Sequence, residues 1–130
     1  MQGPEFAGLA AAAATFGGVW FGHVAVRRIE FAAARLGPFM LAFLLAGLAL
    51  EEAVLLSASF ALSAFLGILG ATFLFDAPEL KRQEKRVNAG RARANPRNPR
   101  HHLALASGRA VLEDPLGGEP PVPVYAGRSK

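Results

Sequence analysis

Apolar residues dominate three stretches of the chain, which short polar segments separate. Residues 6–26, 36–50 and 53–75 contain no Asp, Glu, Lys or Arg. A helix needs about 20 apolar residues to cross the roughly 30 Å hydrocarbon core of a bilayer, and irregular backbone is not satisfied there. The pattern therefore predicts a transmembrane domain of residues 1–76 with three spanning helices at these positions.

The middle stretch is short, with only 15 residues from Leu36 to Leu50. It spans a bilayer if Arg35 extends its charged end outward or if the bilayer thins locally. The alternative is a re-entrant or core helix. Because the third stretch begins directly after Glu51-Glu52, we expect a polar hairpin turn at that pair, on a membrane surface, and a complete span before it.

The basic residues near the apolar stretches predict the orientation. Lys and Arg are retained on the cytoplasmic side of a membrane. The first loop and the segment after the third stretch are both basic, which places the N-terminus and the Glu51-Glu52 turn outside. The C-terminal part is then cytoplasmic, in a bacterial inner membrane. These residues are Arg27, Arg28, Arg35, Lys81, Arg82, Lys85 and Arg86.

A new helix is predicted after the third stretch. Asp76-Ala77-Pro78-Glu79 has the form of an N-terminal cap, and Gly90 is a typical residue just past a helix end. A helix over 77–90 has a thin apolar stripe, so we expect it at the headgroup level or against a partner. Residues 91–130 are basic, then rich in Pro and Gly, which indicates an extended tail. The predicted fold class is all-α integral membrane.

The composition is typical of a membrane protein and excludes any function that depends on cysteine. Apolar residues make up 52% of the chain and charged residues only 18%, which is too apolar for an ordinary soluble domain. The sequence contains no cysteine, which excludes disulfides, Cys-ligated zinc and iron-sulfur clusters. Since no nucleophile is paired with a base and no metal-ligand cluster is visible, we predict no catalytic residues, no metal site and no enzyme activity.

Eight of the 14 basic residues lie between positions 81 and 100. Each one near an anionic leaflet contributes about 1 kcal/mol of attraction, so lipid headgroups or a partner protein explain this charge. No aromatic residue lies within the cluster to stack on bases, and we predict no nucleic-acid binding. The predicted binding residues are Lys81, Arg82, Lys85, Arg86, Arg91, Arg93, Arg97 and Arg100.

One histidine and two sets of small residues are candidates within the apolar stretches. His23 is a possible axial ligand for haem iron or a chlorophyll-type pigment, and the alternative is an interfacial histidine bonded to a carbonyl or a lipid. No cofactor is predicted outright. Small residues one turn apart allow close helix packing, and we assign this role to Gly18, Gly22, Ser63, Gly67 and Ala71. Glu30 is expected to pair with a neighbouring arginine.

The segment after the third stretch resembles that of a known family. Arg86-Val87, Gly90 and Asn95-Pro96-Arg97 are spaced as R-V-x2-G-x4-N-P-R. This spacing is similar to the tail signature of small bacterial membrane proteins catalogued as a domain of unknown function. The first-loop segment HVAVRRIEFAAARLG also resembles that family, and the similarity covers about residues 9–100. The resemblance implies three membrane helices and supplies no activity.

These patterns favour a non-catalytic accessory subunit of a larger membrane complex. Energy-converting complexes, photosynthetic or respiratory, are suggested as hosts by analogy alone. One alternative is a pigment- or cofactor-binding membrane protein with His23 as its ligand. Another is a small homo-oligomeric carrier or channel.

Overall fold

The computed structural model describes residues 6–113, which form three long helices and a small C-terminal cap. Helix α1 comprises Phe6–Ala32, α2 comprises Gly37–Leu56 and α3 comprises Phe60–Asn88. A 3-10 turn, Pro99–His101, leads directly into the short helix α4, His102–Ala106. All three long helices are long and apolar enough to cross a membrane.

Helix α3 is central, because both α1 and α2 pack against it. The buried core lies near the polar end of the three helices and consists of Val26, Leu36, Phe43, Ala77 and Leu80. Farther along, the helices expose most of their large apolar side chains. Exposed apolar surface of this extent matches a lipid environment, in which it is not costly.

Glycines allow α2 and α3 to approach each other closely. A Cβ atom added to Gly47 would lie 3.0 Å from the Gly70 carbonyl oxygen, and one added to Gly70 would lie 3.1 Å from the Gly47 oxygen. Both distances are tighter than ordinary van der Waals contact. The two backbones therefore meet at a point that tolerates no side chain, as small residues permit between membrane helices.

The turn between the second and third helices does not lie where the sequence predicted it. Glu51 and Glu52 are inside α2, and the chain leaves the helical conformation only at Ser57, Ala58 and Ser59. The Ser59 hydroxyl accepts from the Leu62 backbone N–H at 3.3 Å and caps α3. The predicted Glu-Glu turn is therefore wrong, and the second helix has 20 residues, enough to span.

The predicted break at residue 76 is also wrong, because α3 continues through Asp76, Ala77 and Pro78 to Asn88. Proline removes one intrahelical hydrogen bond. However, Ala77 and Leu80 are buried in the core with Val26, and this packing holds the helix together. At 29 residues, α3 is about 44 Å long, so its charged last turns project beyond a hydrocarbon core of about 30 Å.

Residues 91–113, which we call the cap, are folded where an extended tail was predicted. Helix α3 ends at Asn88, Gly90 follows with φ +72°, and the Arg91 N–H donates back to the Arg86 carbonyl at 2.8 Å. A single bridge joins Arg93 to Val111, where the Ala94 N–H donates to the Val111 carbonyl at 2.7 Å. Residues 114–130, the rest of the predicted tail, lie outside the described residues.

Candidate functional site: a polar clasp at the end of the first helix

The C-terminus of α1 is capped by side chains from the distant cap. The last carbonyl groups of a helix have no intrahelical donors and need other partners. The Asn98 amide nitrogen lies 3.3, 3.0 and 3.1 Å from the carbonyl oxygens of Glu30, Phe31 and Ala33. The Asn95 amide also donates to Phe31, at 2.9 Å. The cap therefore satisfies the end of a helix more than 60 positions away in sequence.

Two successive Asn-Pro-Arg triplets, 95–97 and 98–100, build this arrangement in the same way. In each, the asparagine Oδ1 accepts from the arginine backbone N–H two positions later, at 3.0 Å for Asn95 and 3.1 Å for Asn98. Such turns fix the backbone and leave the amide nitrogen to donate elsewhere. The repeated triplet is the signal in the sequence that could have revealed these two asparagines as capping residues.

Glu30 is the buried centre of the clasp, with 1% of its surface exposed, and it contacts two cap residues. The His101 ring, which is fully buried, places Nε2 at 2.7 Å from Glu30 Oε1. The Asn95 backbone N–H donates to His101 Nδ1 at 2.8 Å, which places the ring hydrogen on Nε2 facing the carboxylate. Glu30 was expected to pair with a neighbouring arginine, but its arginine partner is Arg100, at 3.3 Å.

Arg100 joins α1, α3 and the cap. Its Nε donates to the Ala33 carbonyl at 2.9 Å, and its Nη1 lies 2.8 Å from Glu84 Oε1. Its Nη2 also donates to the Glu30 carbonyl. Burial raises the pKa of the Glu84 carboxyl, but hydrogen bonds from Lys81 and Arg100 outweigh it and hold that pKa below its usual value. Glu84 therefore serves the clasp as a carboxylate.

The clasp consists of Glu30, Glu84, Asn95, Asn98, Arg100 and His101, and its polar groups bind one another. A buried ion pair is tolerated when hydrogen bonds satisfy both partners, as they do here. Within residues 6–113 no three metal-ligating side chains come together. The geometry of the clasp fixes the cap onto the end of α1.

The predicted lipid-binding cations differ in how much of their charge the protein itself already neutralises or buries. Arg82 and Arg86 both pair with Glu79, at 3.1 and 2.7 Å, and Lys81 pairs with Glu84 at 2.9 Å. Arg100 is not at the surface, since only 12% of its side chain is exposed. Arg93 is half-buried, with its guanidinium 5.2 Å from the centre of the Phe31 ring. The exposed cations of the predicted set that carry no ion pair in the described part of the chain are Lys85, Arg91 and Arg97.

The predicted packing residues lie mostly at contacts within the chain. A Cβ added to Gly18 would lie 3.1 Å from Leu69, and Gly22 lies against the Asp76 carboxylate. Gly67 faces Val54 of α2, whereas Ser63 is half-buried and Ala71 is exposed. Gly47 and Gly70, which form the closest contact, were not in the predicted set. A glycine on α2 aligned with one on α3 is visible only once the two helices are paired.

His23 is exposed on α1, next to the Gly22–Asp76 contact. Asp76 Oδ2 is buried and has no hydrogen-bond partner among the described residues. That His23 ligates a pigment or haem stays a prediction.

Two acidic residues lie inside a helix of spanning length, contrary to the sequence interpretation. Glu51 and Glu52 come five and four positions before the end of α2, at Leu56. The Glu51 carboxylate lies on Gly70, where an added Cβ would be 2.6 Å from Glu51 Oε1. Glu52 is exposed. An ionisable side chain within a span is costly and marks a functional position by default.

Three spanning helices with a clasped polar cap define a small helical membrane protein. The family model described as "Domain of unknown function (DUF4491)" matches residues 5–100. The chain therefore belongs to this family, and the match includes the three helices and the clasp up to Arg100. No curated protein and no solved structure matches the chain.

Proposed function

We propose that this protein is a non-catalytic accessory subunit of a larger bacterial membrane complex. The observation that carries the proposal is the saturated clasp, in which Arg100 and His101 both contact the Glu30 carboxylate, at 3.3 and 2.7 Å. Groups satisfied in this way position a segment of chain rather than bind and release a substrate. In this role the helices anchor the protein, and the cap presents a fixed basic surface to a partner.

The exposed cations of the cap are the proposed contact with the partner. Arg91 and Arg97 are exposed, and rim charges of this kind guide association through complementary potential. Charge reversal with Arg91→Glu and Arg97→Glu is expected to reduce the amount of partner subunits that co-purify with this chain from native membranes. The matched control, Arg91→Lys with Arg97→Lys, keeps both charges and is expected to recover them.

Purification from native membranes in mild detergent tests the subunit role. We expect larger subunits at fixed stoichiometry with this chain, identified by mass spectrometry. An energy-converting complex, photosynthetic or respiratory, is the first host to test, by a visible absorption spectrum of the same fraction. A colourless particle that contains this chain alone would contradict the proposal.

The proposed topology has the N-terminus outside and the cap on the cytoplasmic face of the inner membrane. It rests on the positive-inside tendency of Arg27, Arg28 and Arg35 at the end of the molecule that carries the cap. Because the sequence has no cysteine, Ser107→Cys introduces a single label site on an exposed position. An impermeant thiol reagent should label it only in opened membranes, and labelling of intact cells would reverse the orientation.

The acidic residues inside α2 favour a second candidate, a homo-oligomeric carrier or channel. Glu51 lies on Gly70 of α3 and Glu52 is exposed, so a second copy would have a polar group to meet. This candidate predicts proton or cation flux in liposomes that contain only this chain. Glu51→Gln should abolish that flux, whereas Glu113→Gln, at an exposed cap position, should leave it unchanged.

A further inference from the structure

The corner between α1 and α2 contains an open groove with apolar walls and a cationic rim. The groove has a volume of about 590 Å³. Ile29, Pro38 and Phe39 contribute to its apolar lining, and Arg28 and Arg35 are the two charged residues that line it. It lies at the end of the three helices that carries the cap, because the neighbouring Ala33 carbonyl accepts from Arg100.

Arg28 and Arg35 line the groove and, like Lys85, Arg91 and Arg97, are not held by a carboxylate of residues 6–113. Both are exposed, and neither forms an ion pair or side-chain hydrogen bond within residues 6–113. Lys81, Arg82 and Arg86, by contrast, are paired with carboxylates on α3. Two guanidinium groups beside one groove are thus available for an external anion.

From this groove we infer a binding site for one anionic phospholipid. A guanidinium binds phosphate oxygens with paired hydrogen bonds, and basic pockets between membrane helices hold anionic headgroups. The apolar wall at Pro38 and Phe39 continues into α2, which offers an acyl chain a path toward the hydrocarbon core. Helix α2 also begins here without a side-chain cap, so its positive end adds to the attraction for phosphate.

The lipid site lies outside the set of cations that the sequence predicted to contact headgroups, and that assignment stays a prediction. Four of the eight predicted cations are held by carboxylates of the protein, as shown by Lys81, Arg82, Arg86 and Arg100. Arg28 and Arg35 were predicted to flank a loop at the membrane edge and were not assigned a ligand. The inference does not depend on the proposed subunit role, since it requires only that the helices span a membrane.

Native mass spectrometry of the full chain in mild detergent tests the site, with phosphatidylglycerol and phosphatidylcholine added in equal amounts. We expect the wild type to retain one phosphatidylglycerol in preference to phosphatidylcholine. Arg28→Gln with Arg35→Gln should weaken phosphatidylglycerol binding about 30-fold, if each charge contributes about 1 kcal/mol and 1.4 kcal/mol is tenfold. Lys85→Gln with Arg97→Gln removes the same charge elsewhere and should leave this binding within about twofold of the wild type.

A second measurement keeps the inference testable if the arginine variant does not fold. Trp20→Phe with Phe39→Trp places the sole tryptophan of the chain in the groove and keeps both arginines. Brominated phosphatidylglycerol should quench this tryptophan more strongly than brominated phosphatidylcholine at the same mole fraction in vesicles. Equal quenching by the two brominated lipids would overturn the lipid site. So would equal retention of phosphatidylglycerol and phosphatidylcholine in the mass spectra, or a protein dimer that the arginine variant loses.

Discussion

The contact between α2 and α3 and the clasp at the end of α1 hold helices by different physical means. At Gly47 and Gly70 the two backbones approach closely, with the Leu74 side chain against Gly47 and the Glu51 carboxylate against Gly70, so close packing and dispersion contribute to holding the helices together. At the clasp, an arginine and a histidine contact a buried carboxylate and two asparagines donate to backbone carbonyls, at 2.7–3.3 Å.

The two regions are held differently because the α2–α3 contact lies among apolar surfaces that match lipid, whereas the clasp lies at the polar end of the helices. Within lipid, apolar side chains gain nothing by leaving the acyl chains, so close backbone approach is what brings helices together. At the polar end, the last carbonyls of α1 need donors, and the cap supplies them from Asn95, Asn98 and Arg100. The comparison predicts that added side-chain volume destabilises the Gly47–Gly70 contact, whereas the loss of hydrogen-bond partners destabilises the clasp.

Glu30→Ala should have the largest effect, because it leaves the buried His101 without its carboxylate and leaves Arg100 with Glu84 as its remaining carboxylate partner. Removal of one partner of a buried ion pair costs about 3–5 kcal/mol. We expect the cap to become susceptible to protease and the thermal midpoint in detergent to fall. Glu79→Ala, which breaks two pairs with largely exposed arginines, should cost under about 1 kcal/mol per pair. Equal losses in both variants would contradict the central role of Glu30.

Gly47→Ala tests the apolar region by adding one methyl group. The new Cβ would lie 2.7 Å from Leu74 Cγ and 3.0 Å from the Gly70 oxygen, and overpacking costs about 1–3 kcal/mol. Denaturation in mixed detergent micelles, followed by circular dichroism, measures the loss. Gly17→Ala is the matched control, since nothing lies within 4 Å of its added Cβ. A stability unchanged by Gly47→Ala would show that the two helices do not approach so closely.

Asn98→Ala should produce a smaller loss in the cap. It removes the donor to the carbonyls of Phe31 and Ala33 and the acceptor for the Arg100 N–H. Net contributions of about 1 kcal/mol per hydrogen bond suggest a loss of about 1–3 kcal/mol. Hydrogen exchange should speed up in the cap and at the end of α1, and remain unchanged in α2. Asn98→Asp keeps the acceptor but turns a carboxylate toward the same carbonyl oxygens at the negative end of α1, so it should be at least as destabilising as Asn98→Ala.

The pH dependence of the clasp gives the smallest predicted effect. The pKa of Glu84 in the folded protein lies below its ordinary value of 4.5. Its contribution to stability is therefore complete above that value and is lost as the pH falls through the lowered pKa. Unfolding measured from pH 6 downward should show this loss, and Glu84→Gln should flatten the curve. An equally steep curve in Glu84→Gln would assign the acid sensitivity to another group.

The sequence predicted the secondary structure well where a local property decides it. Uncharged length alone indicated three helices of spanning character, and the structure has them. It placed two boundaries wrongly, at Glu51-Glu52 and at Asp76, because both positions look like helix ends from local residue types. Packing overrides these signals, since Glu51 rests on Gly70 and Ala77 is buried in the core.

The clasp was largely invisible in the sequence. The Asn-Pro residues at 95–96 and 98–99 indicate turns, and an extended segment was the natural interpretation. Their amide groups acquire a role only when the end of α1 is next to them. Glu30 was correctly expected to pair with an arginine, but that partner is Arg100, 70 positions later, and no local pattern identifies it.

By itself the sequence determined a helical membrane protein with three apolar segments and a basic C-terminal part, because hydrophobic length and charge are properties of neighbouring residues. Only the tertiary structure decided that α3 packs between the other two helices, that Gly47 meets Gly70, and that the cap closes over Glu30. These contacts join residues that are distant in sequence, and each depends on the axial position of one element relative to another. One added methyl or one lost donor changes that fit, while the hydrophobic pattern stays the same.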